Sequence, residues 1–321
     1  MLAMAGRGKN YHWETLSDEA LLDTRFYDLR VRLKNTPLAE RTQRLIYELE
    51  RRQIVFRPHF WLSEEWFSPD GVPGVAIPFY LAHPRLMKLE YQQMFEVEGG
   101  TERWCMQLLR HETGHAIDTA YRLHRRKVWR KCFGPFTRNY PQYCTPCPQS
   151  RNYVLHLDWW YARSHPAEYY AETFAVWLKP GSKWRKDYAA WPALKKLQTV
   201  DEIMASIAGA VAPVRSRRQV DPLSKNTKTL RQHYTEKRQH YGIEVSAIYD
   251  GDLQRVFRPK PTRGKKRRTA TAFLRHARVV PAMRPWHWRA AVHDRTTDQG
   301  NGAALSRNEV VRRCARASAY A

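Results

Sequence analysis

His111 and His115 stand four residues apart in LLRHETGHAIDTAYRL, residues 108–123, with Glu112 directly after the first. On a helix, residues four apart stack on one face, so the two imidazoles can aim at one metal ion. Glu112 is turned about 100° from His111 and sits beside that ion rather than on it. Zinc there supplies a Lewis acid and lowers the pKa of a water to about 7. Glu112 can take the proton of that water and pass it to a leaving amine. The His and Glu content predicts H-E-x-x-H only about 0.03 times by chance in this chain. Trp104, Leu108, His111 and His115 form one stripe, which puts both histidines on the buried face. Buried imidazoles need partners, and a metal ion provides one. Gly114 weakens the helix by about 1 kcal/mol relative to Ala and lets another backbone come close.

A catalytic zinc takes three protein ligands and keeps one position for water. The metzincin extension requires a glycine and a histidine where this chain has Asp118 and Tyr121. Two candidates remain. Asp118 lies on the His111/His115 face and can be a ligand, as in small H-E-x-x-H-x-x-D proteases, or can accept an N–H from a ligand histidine. Glu168 lies on a downstream helix, with Glu172 one turn later on the same face. HETGH followed by EYYAE, residues 168–172, resembles the lethal-factor-like zinc peptidases of the gluzincin type. Residues 164–178 are also similar to a segment of bacterial zinc-binding metallopeptidases. The similarity spans residues 100–180. It implies His111, His115 and Glu168 as zinc ligands, Glu112 as general base, and Glu172 as acceptor for a ligand histidine. Tyr161, seven residues before Glu168, would assist the transition state, where a preorganised donor counts most. The other reading of Tyr161 is a packed aromatic beside Trp159 and Trp160. With Glu168 as ligand, Asp118 keeps the role of supporting a ligand histidine.

These residues need two helices to hold them. Thr101-Glu102 opens the first, and residues 165–178, with Ser164 as N-cap and Pro166 in the first turn, form the second. Upstream, Ser17 followed by two acids opens a helix over 16–34, and a second spans 37–53. Strands are expected at 54–62 and 74–82, each demoted to an edge by Pro58 or Pro78, with another near 86–92. Zinc peptidases of this type bind substrate as an added strand, and 74–82 is the expected edge. The Pro- and Cys-rich segment 132–153 reads as loop. Helices follow near 190–210 and at 226–241, separated by a linker at 211–225. The run 264–278 is basic and partly helical, and from about 281 no period is sustained.

The resemblance thus implies an α+β, zincin-like catalytic domain: a small mixed sheet with an edge strand, the H-E-x-x-H helix and a second ligand helix. It would occupy residues 1–210, before a linker at 211–225 and a basic, partly helical region at 226–321. The net charge of +24 is uneven. Residues 1–180 hold 25 Lys+Arg against 20 Asp+Glu, and residues 181–321 hold 30 against 11. Such a basic half attracts nucleic acid or acidic partners nonspecifically, or is a solvated tail. The expected partner is a peptide or protein substrate. The competing reading is a catalytically idle zinc protein whose basic region binds nucleic acid or an acidic partner. No apolar run suits a membrane span and no secretory signal is visible, so a cytoplasmic monomer without a membrane partner is expected. Cys132, Cys144 and Cys147 would need a fourth ligand such as His156 to hold a second metal, and reduced thiols are the expectation.

Overall fold

Two helices dominate the interior, and they are the two that bear His111, His115 and Glu168. The computed structural model describes residues 11–140, 150–157 and 162–241. Nine α-helices and one two-stranded sheet occur among them. In chain order these are α1 (Asp18–Leu22), α2 (Pro37–Glu50), β1 (His59–Ser63), β2 (Gly74–Pro78), α3 (Pro84–Met94), α4 (Glu102–Tyr121), α5 (Lys127–Phe133), α6 (Pro166–Leu178), α7 (Trp184–Asp187), α8 (Ala193–Ala205) and α9 (Leu230–His240). No helix among the described residues is long and apolar enough to cross a membrane.

Local chemistry sets most helix starts. Ser17 Oγ accepts from Ala20 N–H to open α1, and Thr101 Oγ1 accepts from Trp104 N–H to open α4. Thr229 and Gln232 form a reciprocal capping box at α9. The α6 cap is His165 rather than Ser164: its Nδ1 accepts from Ala167 N–H at 3.1 Å, with Pro166 as the first helical residue. The helix expected over 16–34 stops at Leu22. Residues 24–27 trade helical bonding for the C-terminal chain: Phe26 and Tyr27 donate to Lys228 and Asn226, and Leu230 donates to Thr24.

The strand expected near 86–92 is helix α3. His83 caps it, Pro84 starts it, and Leu86, Leu89, Glu90 and Met94 bury one face at helical spacing. The sheet is a parallel pair rather than a mixed sheet, with His59 opposite Gly74 and Ser63 opposite Pro78. Gly74 is required by closeness, since a Cβ there would lie 2.3 Å from the His59 ring. All of β2 is buried, and Ala76 N–H donates to Phe67 O at 2.8 Å on an isolated antiparallel bridge. The edge expected at 74–82 for a substrate strand is therefore already bonded, and its second half is a 3-10 turn, Phe79–Ala82.

The α4–α6 pair forms the centre. Every residue of α6 is buried. A Cβ on Gly114 would lie 2.9 Å from Ala171 Cα, so the glycine sets how closely the two helices cross. Arg110 of α4 makes a buried two-bond pair with Glu48 of α2, at 2.7 and 2.8 Å. The stretch 211–225, expected as a linker, instead lies along β1. His59, Trp61 and Ser63 bond through their side chains to the carbonyls of Arg218, Val220 and Asp221. Beyond it α9 buries Leu230, His233 and Tyr234 and packs on α1 and α3, so residues 226–240 extend the first folded unit. The chain beyond residue 241, including the run 264–278, lies outside the described residues.

Candidate metal centre

His111 and His115 project from α4, and Glu168 comes from the first turn of α6, where the helix dipole favours a negative charge. The Gly114–Ala171 crossing brings them together. The two histidine Nε2 atoms lie 3.2 Å apart, and Glu168 Oε2 lies 3.0 Å from His111 Nε2 and 3.3 Å from His115 Nε2. His111 and Glu168 are buried, and His115 is half-buried. Glu112, next along α4, is fully buried.

His111 is fixed from behind. Its Nδ1 donates to Glu172 Oε1 at 2.6 Å, because a carboxylate can only accept. The other Glu172 oxygen accepts from Leu157 N–H at 2.9 Å. Burial pushes the Glu172 carboxyl up, but the His111 bond, the nearby His156 and the Leu157 amide together hold it below its ordinary value. With Nδ1 donating, a neutral His111 turns the lone pair of Nε2 toward His115 and Glu168. With His115 in the tautomer that leaves its Nε2 unprotonated, three acceptor atoms face one point. A proton there serves one pair of them, whereas a metal ion serves all three.

The spacing suits a small metal ion, with zinc as the measure. Zinc–nitrogen and zinc–oxygen bonds of about 2.0–2.2 Å in a tetrahedron put ligand atoms about 3.3–3.5 Å apart. The observed separations, 3.0, 3.2 and 3.3 Å, are at the lower bound of that range or up to 0.3 Å below it. This buried His–His–Glu group can hold a metal ion, and it is the one such group among the described residues.

The other expected residues divide. Glu172 accepts from His111, the bond its spacing suggested. Asp118 does not: both of its oxygens go to His124, accepting from the backbone N–H at 2.7 Å and from Nδ1 at 2.9 Å. Asp118 thus secures the chain just after α4, and burial raises its carboxyl despite that histidine. The reason is local. The helix ends in the left-handed region at Arg122, which swings His124 back over Asp118. Tyr161, with Trp159 and Trp160, lies outside the described residues, as do Cys144 and Cys147. Cys132 is a free thiol, and His156 bonds to Gln107 O at 2.9 Å. A cleft of about 1000 Å³ opens behind the centre beside Gln107, Leu157 and Val176, and none of the three converging residues lines it.

One neighbour was not foreseen. Tyr140 donates to Glu168 Oε1 at 3.0 Å, and its ring stacks on His165 at 4.0 Å. It sits in a Pro- and Cys-rich stretch without period, where no sequence signal marks it. No protein family, curated protein or solved structure matches this chain.

Proposed function

We propose that this chain is a zinc-dependent peptidase of the gluzincin type. The convergence of His111 Nε2, His115 Nε2 and Glu168 Oε2 in a buried setting carries the reading. Two imidazoles and a carboxylate form the ligand set that a hydrolytic zinc favours. Glu172 supports it further, since a carboxylate behind a ligand histidine is the usual orienting device.

When bound, zinc supplies a Lewis acid and brings the pKa of water to about 7. The chain's own residues do the rest. Glu112 accepts the proton of the attacking water and returns it to the leaving amine as the peptide bond breaks. His111 keeps the tautomer that Glu172 dictates, so its Nε2 stays available as a ligand. Burial around Glu112 excludes bulk water that would compete for the proton.

The test uses the full chain. Purified protein should carry one zinc and cleave members of a peptide library. Glu112→Gln should keep the zinc and lose cleavage. If both proteins bind zinc and neither cleaves any peptide or protein offered, the peptidase reading fails. Glu168→Ala should lose the metal, and retention of tight binding would remove Glu168 from the ligand set.

A further inference from the structure

We propose that Tyr140 is a positioning residue that confines Glu168 to one-oxygen ligation. The inference rests on the reading of His111, His115 and Glu168 as metal ligands. It starts from a division of labour within one carboxylate. Glu168 Oε2 is the oxygen that meets the two histidine nitrogens, while Oε1 accepts from the Tyr140 hydroxyl. A carboxylate with both oxygens free can rotate and chelate a metal through both. That would fill the position a hydrolytic zinc must leave open for water. A phenol O–H on Oε1 opposes the rotation.

The phenol is itself held. The Tyr140 ring lies flat on the His165 ring, centroids 4.0 Å apart and planes 13° from parallel. His165 has one tautomer that satisfies all its bonds. Its Nδ1 accepts from Ala167 N–H at the start of α6, so its Nε2 carries the proton and donates to Arg138 O at 2.7 Å. His165 therefore caps the helix that delivers Glu168 and also supports the tyrosine that binds it. The ring edge of His165 meets Phe136, whose other neighbour in the stack is His124, 4.4 Å away. His124 is the ring that Asp118 holds. One layer of rings thus runs from the end of α4 to the first turn of α6. It ties the end of α4 to the start of α6.

The experiment measures zinc affinity of the full chain by chelator competition, together with the visible spectrum of the cobalt-substituted protein. Tyr140→Phe keeps the ring and its stacking and removes only the hydroxyl. It should still bind one metal per chain, with affinity lower by about 10- to 100-fold, as for the loss of other groups that orient a ligand. Its cobalt spectrum should shift toward the weaker absorption of higher coordination. Wild-type affinity and spectrum in Tyr140→Phe would overturn the proposal and leave the peptidase reading standing. An affinity loss with an unchanged cobalt spectrum would also overturn it. A wild-type chain that takes up no metal would overturn both.

Discussion

At the α4–α6 crossing, two imidazoles and Glu168 meet at one point, with Glu172 behind them. Under α9, Glu65 and Glu90 meet Lys237 instead, at 2.6 and 2.9 Å, and Glu64 meets His233 at 3.0 Å. Both clusters are buried and rich in Glu and His. They differ in where the positive charge comes from. Lys237 is a cation tethered to the fold, and the attraction of Glu65 and Glu90 outweighs its burial and holds its ammonium charged. The α4–α6 cluster offers lone pairs to one point, an arrangement that gains from a cation taken from solution. A buried group of carboxylates is thus not by itself a metal site. Convergence of ligand atoms distinguishes the two.

The largest effect should come from breaking the self-sufficient cluster. Lys237→Met leaves Glu65 and Glu90 buried without their cation, and removing one partner of a buried pair costs about 3–5 kcal/mol. Urea unfolding should show that loss, with the metal affinity of the folded fraction unchanged. The metal cluster should respond oppositely. With free zinc about 100-fold above its Kd, the folded state gains about 2.7 kcal/mol. Chelation should remove that gain from wild type and from Lys237→Met alike, and do nothing to Glu168→Ala. A Glu168→Ala chain that still loses stability on chelation would place the metal elsewhere.

The two clusters also differ in how far the sequence announces them. His111, Glu112 and His115 are legible because one helix sets their spacing, and α6 shows its start in Pro166 and its end in Pro180-Gly181. Gly114 is legible as a close approach, and the Ala171 contact is that approach. What fails depends on long-range pairing. The break after α1 arises from bonds to residues 226–230, about 200 positions away, which no local pattern encodes. Leu86, Met87 and Leu89 satisfy strand and helix alike, and the His83-Pro84 start decides for helix. Asp118 shares a face with the ligands, yet the chain reversal at Arg122 claims both of its oxygens. Lys237 sits in a polar helix with no outward sign of burial, because its partners come from the β1–β2 connection and α3.

A third substitution separates backbone spacing from side-chain charge. Gly114→Ala adds a Cβ 2.9 Å from the Ala171 Cα, a backbone atom that cannot turn aside. Overpacking of this kind costs about 1–3 kcal/mol, against a helix-propensity gain of about 1 kcal/mol. The expected net loss in urea unfolding is on the order of 1–2 kcal/mol. Because α6 must shift, zinc affinity should fall as well, which Lys237→Met should not cause. Unchanged zinc affinity in Gly114→Ala would mean that Glu168 tolerates movement of its helix.

The smallest effect tests the charge count under α9. One ammonium ion serves two buried carboxyl groups there, and burial favours the neutral form of Glu65. Burial pushes Glu65 up to about 8, opposed by Lys237 and reinforced by Glu90 and Glu98. Its bond to Lys237 survives protonation, since Oε1 accepts whether or not Oε2 holds the proton. In the unfolded chain Glu65 ionises at its ordinary value of 4.5. Between 4.5 and about 8 the folded state therefore holds a proton that the unfolded state has released. Stability then falls as pH rises across that window, by at most about 1.4 kcal/mol per pH unit for one proton. Glu65→Gln imitates the protonated acid at every pH and removes this slope. Urea unfolding at pH 6 and pH 7 should show wild type losing on the order of 1 kcal/mol more than Glu65→Gln over the interval. Parallel losses would mean that Glu65 is ionised beside Lys237 at neutral pH.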